Sequence, residues 1–214
     1  MPICDRRILT KGGAGHRRVI PALLSVLAVV LLAACDETGT ANPFASTSRS
    51  SMALETATLD NGSLTIAGPA GYCIDAASLK NRGAKQFALV AQCDLLRTNE
   101  VAGVTSLAFL TVTAVRATPE TALPSAETIA ASFGPANVLY SSVIDGIRVV
   151  QLSQGGESAT TQADPVHWRG VMTIKGHTIG LAAYSMQDGS GAGLKGRNLL
   201  LSLGRNIRNA STAN

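Results

Sequence analysis

The feature that most constrains this chain is an uncharged apolar run of 16 residues from Val19 to Ala34, which ends at Cys35. Five basic residues precede the run, at positions 6, 7, 11, 17 and 18. A basic stretch, a short apolar run and small residues before a cut site are typical of a secretory signal peptide. The run is shorter than the roughly 20 residues that a membrane-spanning helix needs. We therefore expect residues 1–34 to be a signal peptide that is removed on export.

The end of this run, Leu31-Leu32-Ala33-Ala34-Cys35, resembles the lipobox of bacterial lipoproteins. The resemblance implies that the Cys35 sulfur takes a diacylglycerol, that a peptidase cuts before it, and that the new amino group is acylated, for example with palmitate. The chain would then face the periplasm from the cell envelope, held in a lipid bilayer by acylated Cys35. Asp36 resembles the inner-membrane retention signal of enterobacterial lipoproteins, which favours the inner membrane over the outer.

Charge is unevenly divided between the signal and the rest of the chain. The formal net charge is +4, but residues 1–34 hold five of the 18 Lys and Arg residues and one of the 14 Asp and Glu residues. The remaining 13 basic and 13 acidic residues cancel. Nucleic-acid binding rests on clustered cations that release counterions, so we expect neither a nucleic-acid nor a nucleotide partner.

Two of the four cysteines remain for the exported domain, because Cys4 lies in the signal and Cys35 carries lipid. Cys73 and Cys93 would be an isolated pair in an oxidising compartment, which favours a disulfide. The alternative, a metal or redox pair, lacks CxxC spacing and a neighbouring histidine. The sequence therefore predicts a Cys73–Cys93 disulfide that joins the first strand of the domain to the next.

After Cys35 the sequence divides into a polar segment and a patterned domain. Residues 35–56 have no sustained apolar period, which predicts a lipidated N-terminus followed by a flexible tether. Alternating strand patterns begin near Leu59. The length that remains is enough for one hydrophobic core, so we expect a single globular domain at 57–214.

Local patterns in the domain predict about six mostly antiparallel strands and two helices. Asp145-Gly146 and Lys175-Gly176 each separate two apolar runs, as in tight hairpins. Alternation places Phe87, Leu89, Ala91 and Cys93 on one side of a strand. Ser125 begins a short mid-chain helix, and an amphipathic helix runs from Leu194 to Asn209. The predicted fold class is α+β.

The opening Asn61-Gly62-Ser63-Leu64-Thr65-Ile66, the short helix, the two hairpins and the closing helix resemble the PsbP/Mog1-type sandwich. Gly71-Tyr72-Cys73-Ile74-Asp75, with a second cysteine about 20 residues on, also resembles small alphaproteobacterial lipoproteins of unknown function. Both resemblances span roughly residues 59–210. Neither implies a catalytic residue.

Two motifs suggest nucleotide chemistry, and their contexts argue against it. Gly191-Ala192-Gly193-Leu194-Lys195-Gly196 matches GxGxxG, but only 18 residues follow it, too few to complete a βαβ unit, and no acid follows Asp188. Asp36-Glu37-Thr38-Gly39-Thr40 resembles the phosphorylated loop of P-type pumps. Such pumps need several membrane spans and cytosolic ATP. We expect no cofactor.

The remaining candidates for catalysis or metal binding lack partners in the sequence. His167 and His177 would lie several residues apart along a hairpin, and two histidines without a third ligand make a poor zinc site. We expect partial burial of His167 beside Trp168, or a surface position. No GxSxG occurs, Ser185 has no placed base, and Asp75 and Asp94 are expected at the surface.

The sequence therefore favours a non-catalytic envelope lipoprotein, an accessory or binding module for an envelope protein. The alternative is an envelope hydrolase whose site is assembled from dispersed residues. A deep polar pocket with perturbed ionisable groups would favour the enzyme, and an exposed apolar patch would favour the module. The last helix carries four cations, Lys195, Arg197, Arg205 and Arg208. They could attract an anionic bilayer, but a solvated helix face is the preferred explanation.

Overall fold

The structure is a computed structural model that describes residues 53–98, 108–117, 122–134 and 137–213. The predicted signal peptide, Cys35 and the tether as far as residue 52 lie outside the described residues. The helices are α1 (Cys93–Thr98), α2 (Ala126–Ala131) and α3 (Leu194–Thr212). The strands are β1 (Ala53–Leu54), β2 (Thr56–Leu59), β3 (Leu64–Ala67), β4 (Tyr72–Asp75), β5 (Lys85–Gln92), β6 (Ala108–Arg116), β7 (Val138–Ile144), β8 (Ile147–Leu152), β9 (His167–Ile174) and β10 (His177–Ser185).

Eight of these strands form one sheet in the order β1-β4-β5-β6-β10-β9-β8-β7, and β2 pairs with β3 in a separate hairpin. Every pairing between these strands is antiparallel. The α+β class, the mostly antiparallel sheet and the C-terminal helix are therefore confirmed. The strands outnumber the six that were expected. β1 and the start of β2 lie within the segment predicted as tether, because β1 is placed by main-chain pairing with β4 and has no apolar period of its own.

Both predicted hairpin turns are confirmed. Asp145 and Gly146 connect β7 to β8 with φ angles of 52° and 70°. Lys175 and Gly176 connect β9 to β10 with φ angles of 46° and 70°. Two consecutive positive φ angles are the requirement of a type I′ turn, whose twist matches that of the flanking strands.

The large sheet has a helix on each face. Val149 belongs to the main hydrophobic cluster, which includes Leu200 and Leu203 of α3. Its neighbour Val150 packs instead with Ile129 of α2. Successive strand residues point to opposite faces, so α3 and α2 cover opposite sides of the sheet. We call these sides the α3 face and the α2 face.

A side-chain cap fixes the start of α2, and a glycine in the sheet allows α3 to pack closely. The Ser125 Oγ accepts a hydrogen bond from the Thr128 N–H at 3.2 Å, which caps α2 where the sequence predicted its start. On the α3 face, a Cβ at Gly170 would lie 2.7 Å from Leu200 Cδ2. Glycine there lets α3 pack directly on the centre of the sheet.

Strand β5 differs from the prediction in its buried side and in its end. Its buried residues are Gln86, Ala88 and Val90, whereas Phe87 and Leu89 are half-buried on the other face. Cys93 begins α1 and is not on a strand. Both faces of this central strand carry apolar residues, so alternation alone does not identify the core side.

Candidate functional site

The two cysteines of the domain lie at disulfide distance, which supports the predicted pairing. Cys73 is buried in β4, and Cys93 is the first residue of α1. Their Cα atoms are 4.8 Å apart and their sulfur atoms are bonded. The predicted link between the first strand of the domain and the next is wrong: the disulfide fastens β4 to α1, because three strands precede β4 and Cys93 lies after the end of β5.

His167 is fully buried on the α2 face, so the expected partial or surface position is wrong. It packs on Tyr184, with ring centroids 5.4 Å apart, and its neighbour Trp168 points to the other face. Its Nδ1 lies 3.0 Å from the Pro165 carbonyl oxygen, so Nδ1–H donates there. Nε2 is buried without a hydrogen-bond partner. Burial and, secondly, the charge of Arg169 lower the pKa of His167 to about 4, so the ring is neutral at neutral pH.

Arg169 lies beside this histidine between two aromatic rings. Its guanidinium carbon is 4.0 Å from the centroid of Phe133 and 5.1 Å from that of Tyr184. Burial lowers the pKa of Arg169 and raises that of Tyr184, and their mutual interaction opposes both shifts. Arg169 takes part in none of the ion pairs among the described residues.

In this arrangement His167 cannot act as the base that activates the Ser185 hydroxyl as a nucleophile. This hydroxyl is buried without a hydrogen-bond partner, and buried polar groups of this kind can have a catalytic role. However, Ser185 follows Tyr184 along β10 and so points to the α3 face, whereas His167 packs on Tyr184 on the α2 face. The sheet separates the hydroxyl from the imidazole.

A second polar cluster joins the β2–β3 hairpin to the large sheet. Asp60 lies in the turn after β2, with a φ of 46°, and its side chain is 8% exposed. Its Oδ2 is 2.7 Å from His177 Nε2, and its Oδ1 accepts a hydrogen bond from Arg116 at 3.0 Å. The bond from Arg116 and then that from His177 lower the pKa of Asp60 to about 2. His177 Nδ1 faces the Lys175 carbonyl oxygen at 2.8 Å, so neither ring nitrogen is open to a substrate.

The described residues contain no group of three or more metal-ligating side chains. His167 begins β9 and His177 begins β10, so the two lie at opposite ends of the hairpin, roughly 23 Å apart for seven residues of strand. The Asp75 Oδ1 accepts a hydrogen bond from the Ala77 N–H at 3.0 Å and caps a 3-10 turn. Asp94 is exposed in the first turn of α1. These carboxylates flank the disulfide.

The glycine-rich segment at 191–196 packs α3 against the sheet. Trp168 Nε1–H donates to the carbonyl oxygens of Ala192 and Gly193 at 2.9 and 2.8 Å. A Cβ at Gly191 would lie 2.7 Å from that of Ser185. The segment's glycines and two of its carbonyl groups are therefore used in packing, which explains the motif without a phosphate.

Three of the four cations of α3 contact the protein itself. The Arg205 Nε lies 3.0 Å from Asp145 Oδ2, Arg197 lies over the Tyr140 ring at 5.8 Å, and the Arg208 side chain reaches Met172 Sδ at 3.9 Å. Lys195 lines a shallow, open depression of about 520 Å³ beside Pro69. None of the helices within the described residues has the length and apolar character to cross a bilayer.

The most exposed apolar surface that belongs to a strand is at β7, which ends the large sheet. Leu139 is 55% exposed, Val143 is 51% exposed and Val138 is 36% exposed. The strand Val138–Ile144 contains no charged residue and no proline. Edge strands are usually protected from pairing with other chains by charges, prolines or a covering element. We call the outward side of Val138–Ile144 the β7 edge.

The β7 edge is an available pairing surface. Among the described residues β7 pairs with β8 alone, so alternate N–H and C=O groups along the strand point away from the described sheet. A register irregularity occurs between Val138 and Tyr140, and regular pairing continues from there to Ile144. The opposite edge of the sheet is β1, which has two residues. The sheet therefore has a seven-residue strand at one edge and a two-residue strand at the other.

Sequence reasoning found the disulfide pair and the two histidines, but not the residues around the histidines. Arg169, Tyr184 and Asp60 belong to no motif. Arg169 and Tyr184 meet through the pairing of β9 with β10, and Asp60 reaches Arg116 and His177 because the β2–β3 hairpin packs against the large sheet. The signal that could have identified β7 was present: seven uncharged residues before a hairpin turn. Comparison of the chain with protein-family models, curated proteins and solved structures finds no match.

Proposed function

We propose that this protein is a lipid-anchored envelope lipoprotein whose folded domain is a non-catalytic binding module, and that it binds a protein partner through the β7 edge. The observation that carries the proposal is this edge: a seven-residue uncharged strand with two side chains more than half exposed. An extended segment of a partner can add to such an edge by main-chain hydrogen bonds, while Leu139 and Val143 supply apolar contacts.

The position of the β7 edge suits a tethered protein. The described chain starts at β1, at the opposite end of the eight-stranded sheet. Seven strand spacings of about 4.8 Å place the two edges roughly 34 Å apart. A tether that leads from acylated Cys35 to β1 would therefore attach at the end of the sheet opposite the β7 edge. The disulfide supports an oxidising compartment, in agreement with a periplasm-facing location.

The internal clusters support binding over catalysis. His167 has a buried Nε2 and a low pKa, Ser185 is on the other face, and both nitrogens of His177 face hydrogen-bond acceptors. A general base needs hydrogen-bond access to its substrate and a pKa near the working pH. Neither histidine combines the two. For the finer fold, we propose the PsbP/Mog1-type sandwich, for which the helices on both sheet faces are the support.

The anchor is tested at Cys35. Cells that express the wild-type chain and the Cys35→Ser variant are labelled with radioactive palmitate. We expect label on the wild-type protein alone, and a variant that keeps its signal segment because the peptidase does not cut it. A Cys93→Ser variant is the control, because it also loses one cysteine but should still be labelled. A labelled and normally processed Cys35→Ser protein would contradict the anchor.

The binding function is tested by placing a photo-crosslinking residue at Leu139 in the full chain in intact cells. We expect a discrete crosslinked product of higher mass. The matched control is Leu194, which is 64% exposed but begins α3 and is outside the sheet. Its crosslinks should be absent or diffuse. Equal products from both positions, or none from Leu139, would contradict docking at the β7 edge.

A further inference from the structure

We propose that Arg169, with the hydroxyl groups of Thr111 and Tyr184, forms a binding site for an oxyanion on the α2 face of the sheet. The ligand would present a carboxylate or a phosphate group. This site is separate from the β7 edge, because strand β8 lies between β7 and β9 in the sheet order.

Strand register brings the three side chains together. Ala182 of β10 pairs with Thr111 of β6 on one side and with Arg169 of β9 on the other. All three therefore lie in one row on the same face. Tyr184 follows two residues along β10 on that face, and its hydroxyl interacts with both Arg169 and Thr111. Ala182 has a side chain too small to separate Arg169 from Thr111.

The guanidinium of Arg169 has no counter-charge within the part of the chain that the structure describes. No carboxylate among the described residues forms an ion pair with it, and its Nε is buried without a hydrogen-bond partner. Because His167 is neutral at neutral pH, Arg169 is the positive charge of this cluster. A partly buried cation without a counter-charge is destabilising, and an incoming anion would lower that penalty.

The geometry also suits recognition of a planar anion. The rings of Phe133 and Tyr184 hold the guanidinium at 4.0 and 5.1 Å from their centroids, which limits its rotation. Arg169 and Thr111 are both partly exposed, so solvent reaches the site. A guanidinium held in one plane can donate two parallel hydrogen bonds to a carboxylate or a phosphate, and a nearby hydroxyl can donate a third.

The test is a titration of the purified full chain in detergent, labelled with nitrogen-15, with inorganic phosphate and separately with acetate at constant ionic strength. We expect a saturable shift of the Arg169 Nε–Hε resonance with at least one of the two anions. The tighter of the two identifies the class of ligand. Shifts that grow linearly and do not saturate with either anion would overturn the proposal.

Variants establish whether the response belongs to this site. Arg169→Gln lacks the Arg169 side-chain resonance, so wild type and variants are compared through the backbone amide resonances of Thr111 and Tyr184. Arg169→Gln should weaken the apparent affinity by about tenfold or more, because hydrogen bonds to a charged group are lost.

The matched control is Arg148→Gln, because Arg148 lies on the same face and pairs with Val171 in the register. A backbone hydrogen bond, the Ser125 side chain and, more weakly, the charge of Arg148 lower the pKa of Glu127, so Arg148 has a carboxylate nearby. The control variant should keep wild-type affinity. An equal loss of affinity in both variants, or no loss in Arg169→Gln, would overturn the assignment. If a variant does not fold, the titration of the wild-type protein alone tests the site.

Discussion

At the scale of single residues, contacts between residues that are distant in sequence fix the positions of the buried ionisable groups. Asp60 and His177 are 117 positions apart in sequence, yet their side chains form one of the shortest hydrogen bonds, at 2.7 Å. Asp60 also has a positive φ, which Asp and Asn tolerate better than most residues. The carboxylate is therefore held between the Arg116 guanidinium and the His177 imidazole, and it fastens the β2–β3 hairpin to the end of β6 and the start of β10.

This contact predicts a specific loss of stability in acid. The pKa of Asp60 is lowered in the folded state from 3.8 to about 2, so the folded state favours the ionised form. Its contribution is fully present above pH 3.8 and is lost as the pH falls through about 2. We expect Asp60→Asn to lower the midpoint of thermal unfolding at pH 6, with the difference from wild type shrinking between pH 4 and pH 2.

The control for this prediction is Asp145→Asn. Asp145 also forms an ion pair, with Arg205, but that side chain is 49% exposed, and exposed pairs contribute little. Asparagine keeps the positive φ acceptable at both positions. A difference between wild type and Asp60→Asn that stays constant from pH 6 to pH 2 would show that the carboxylate charge is not responsible.

At the scale of secondary-structure elements, the disulfide joins β4 to α1 across a separation of 20 residues. Closing a loop of that length restricts the unfolded chain by about 3 kcal/mol. We expect the double variant Cys73→Ala/Cys93→Ala to lose roughly this free energy of unfolding in chemical denaturation. Reduced wild type should match the double variant, and oxidised wild type should exceed both. A variant as stable as the oxidised protein would contradict the prediction.

Elements with local signals were predictable from the sequence, and elements that depend on distant partners were not. Asp145-Gly146 carries its own turn preference, so the β7–β8 hairpin is confirmed. β1 has only two residues and exists through its pairing with β4, which no nearby pattern reveals. The polar cluster at Arg169 depends on the register of β6, β10 and β9, so residues about 60 to 70 positions apart meet only in the folded sheet.

At the scale of the whole molecule, an uncharged strand at the end of a sheet affects behaviour in solution. A free β7 edge can pair with the same edge of another copy, because antiparallel pairing of identical strands brings no like charges together here. Leu139 and Val143 lie two residues either side of Ser141. Pairing centred on Ser141 would therefore place Leu139 of each copy opposite Val143 of the other.

We accordingly expect residues 35–214, purified without lipid as Cys35→Ser, to self-associate at high concentration, and Val143→Lys to suppress this. Val143 is 51% exposed, so lysine there should change the free energy of unfolding by no more than about 0.5 kcal/mol. Leu194→Lys adds the same charge at a 64% exposed position outside the sheet. Analytical ultracentrifugation should show that Leu194→Lys associates like the parent chain while Val143→Lys stays monomeric. If both lysine variants associate equally, the β7 edge is not the surface through which this protein meets other chains.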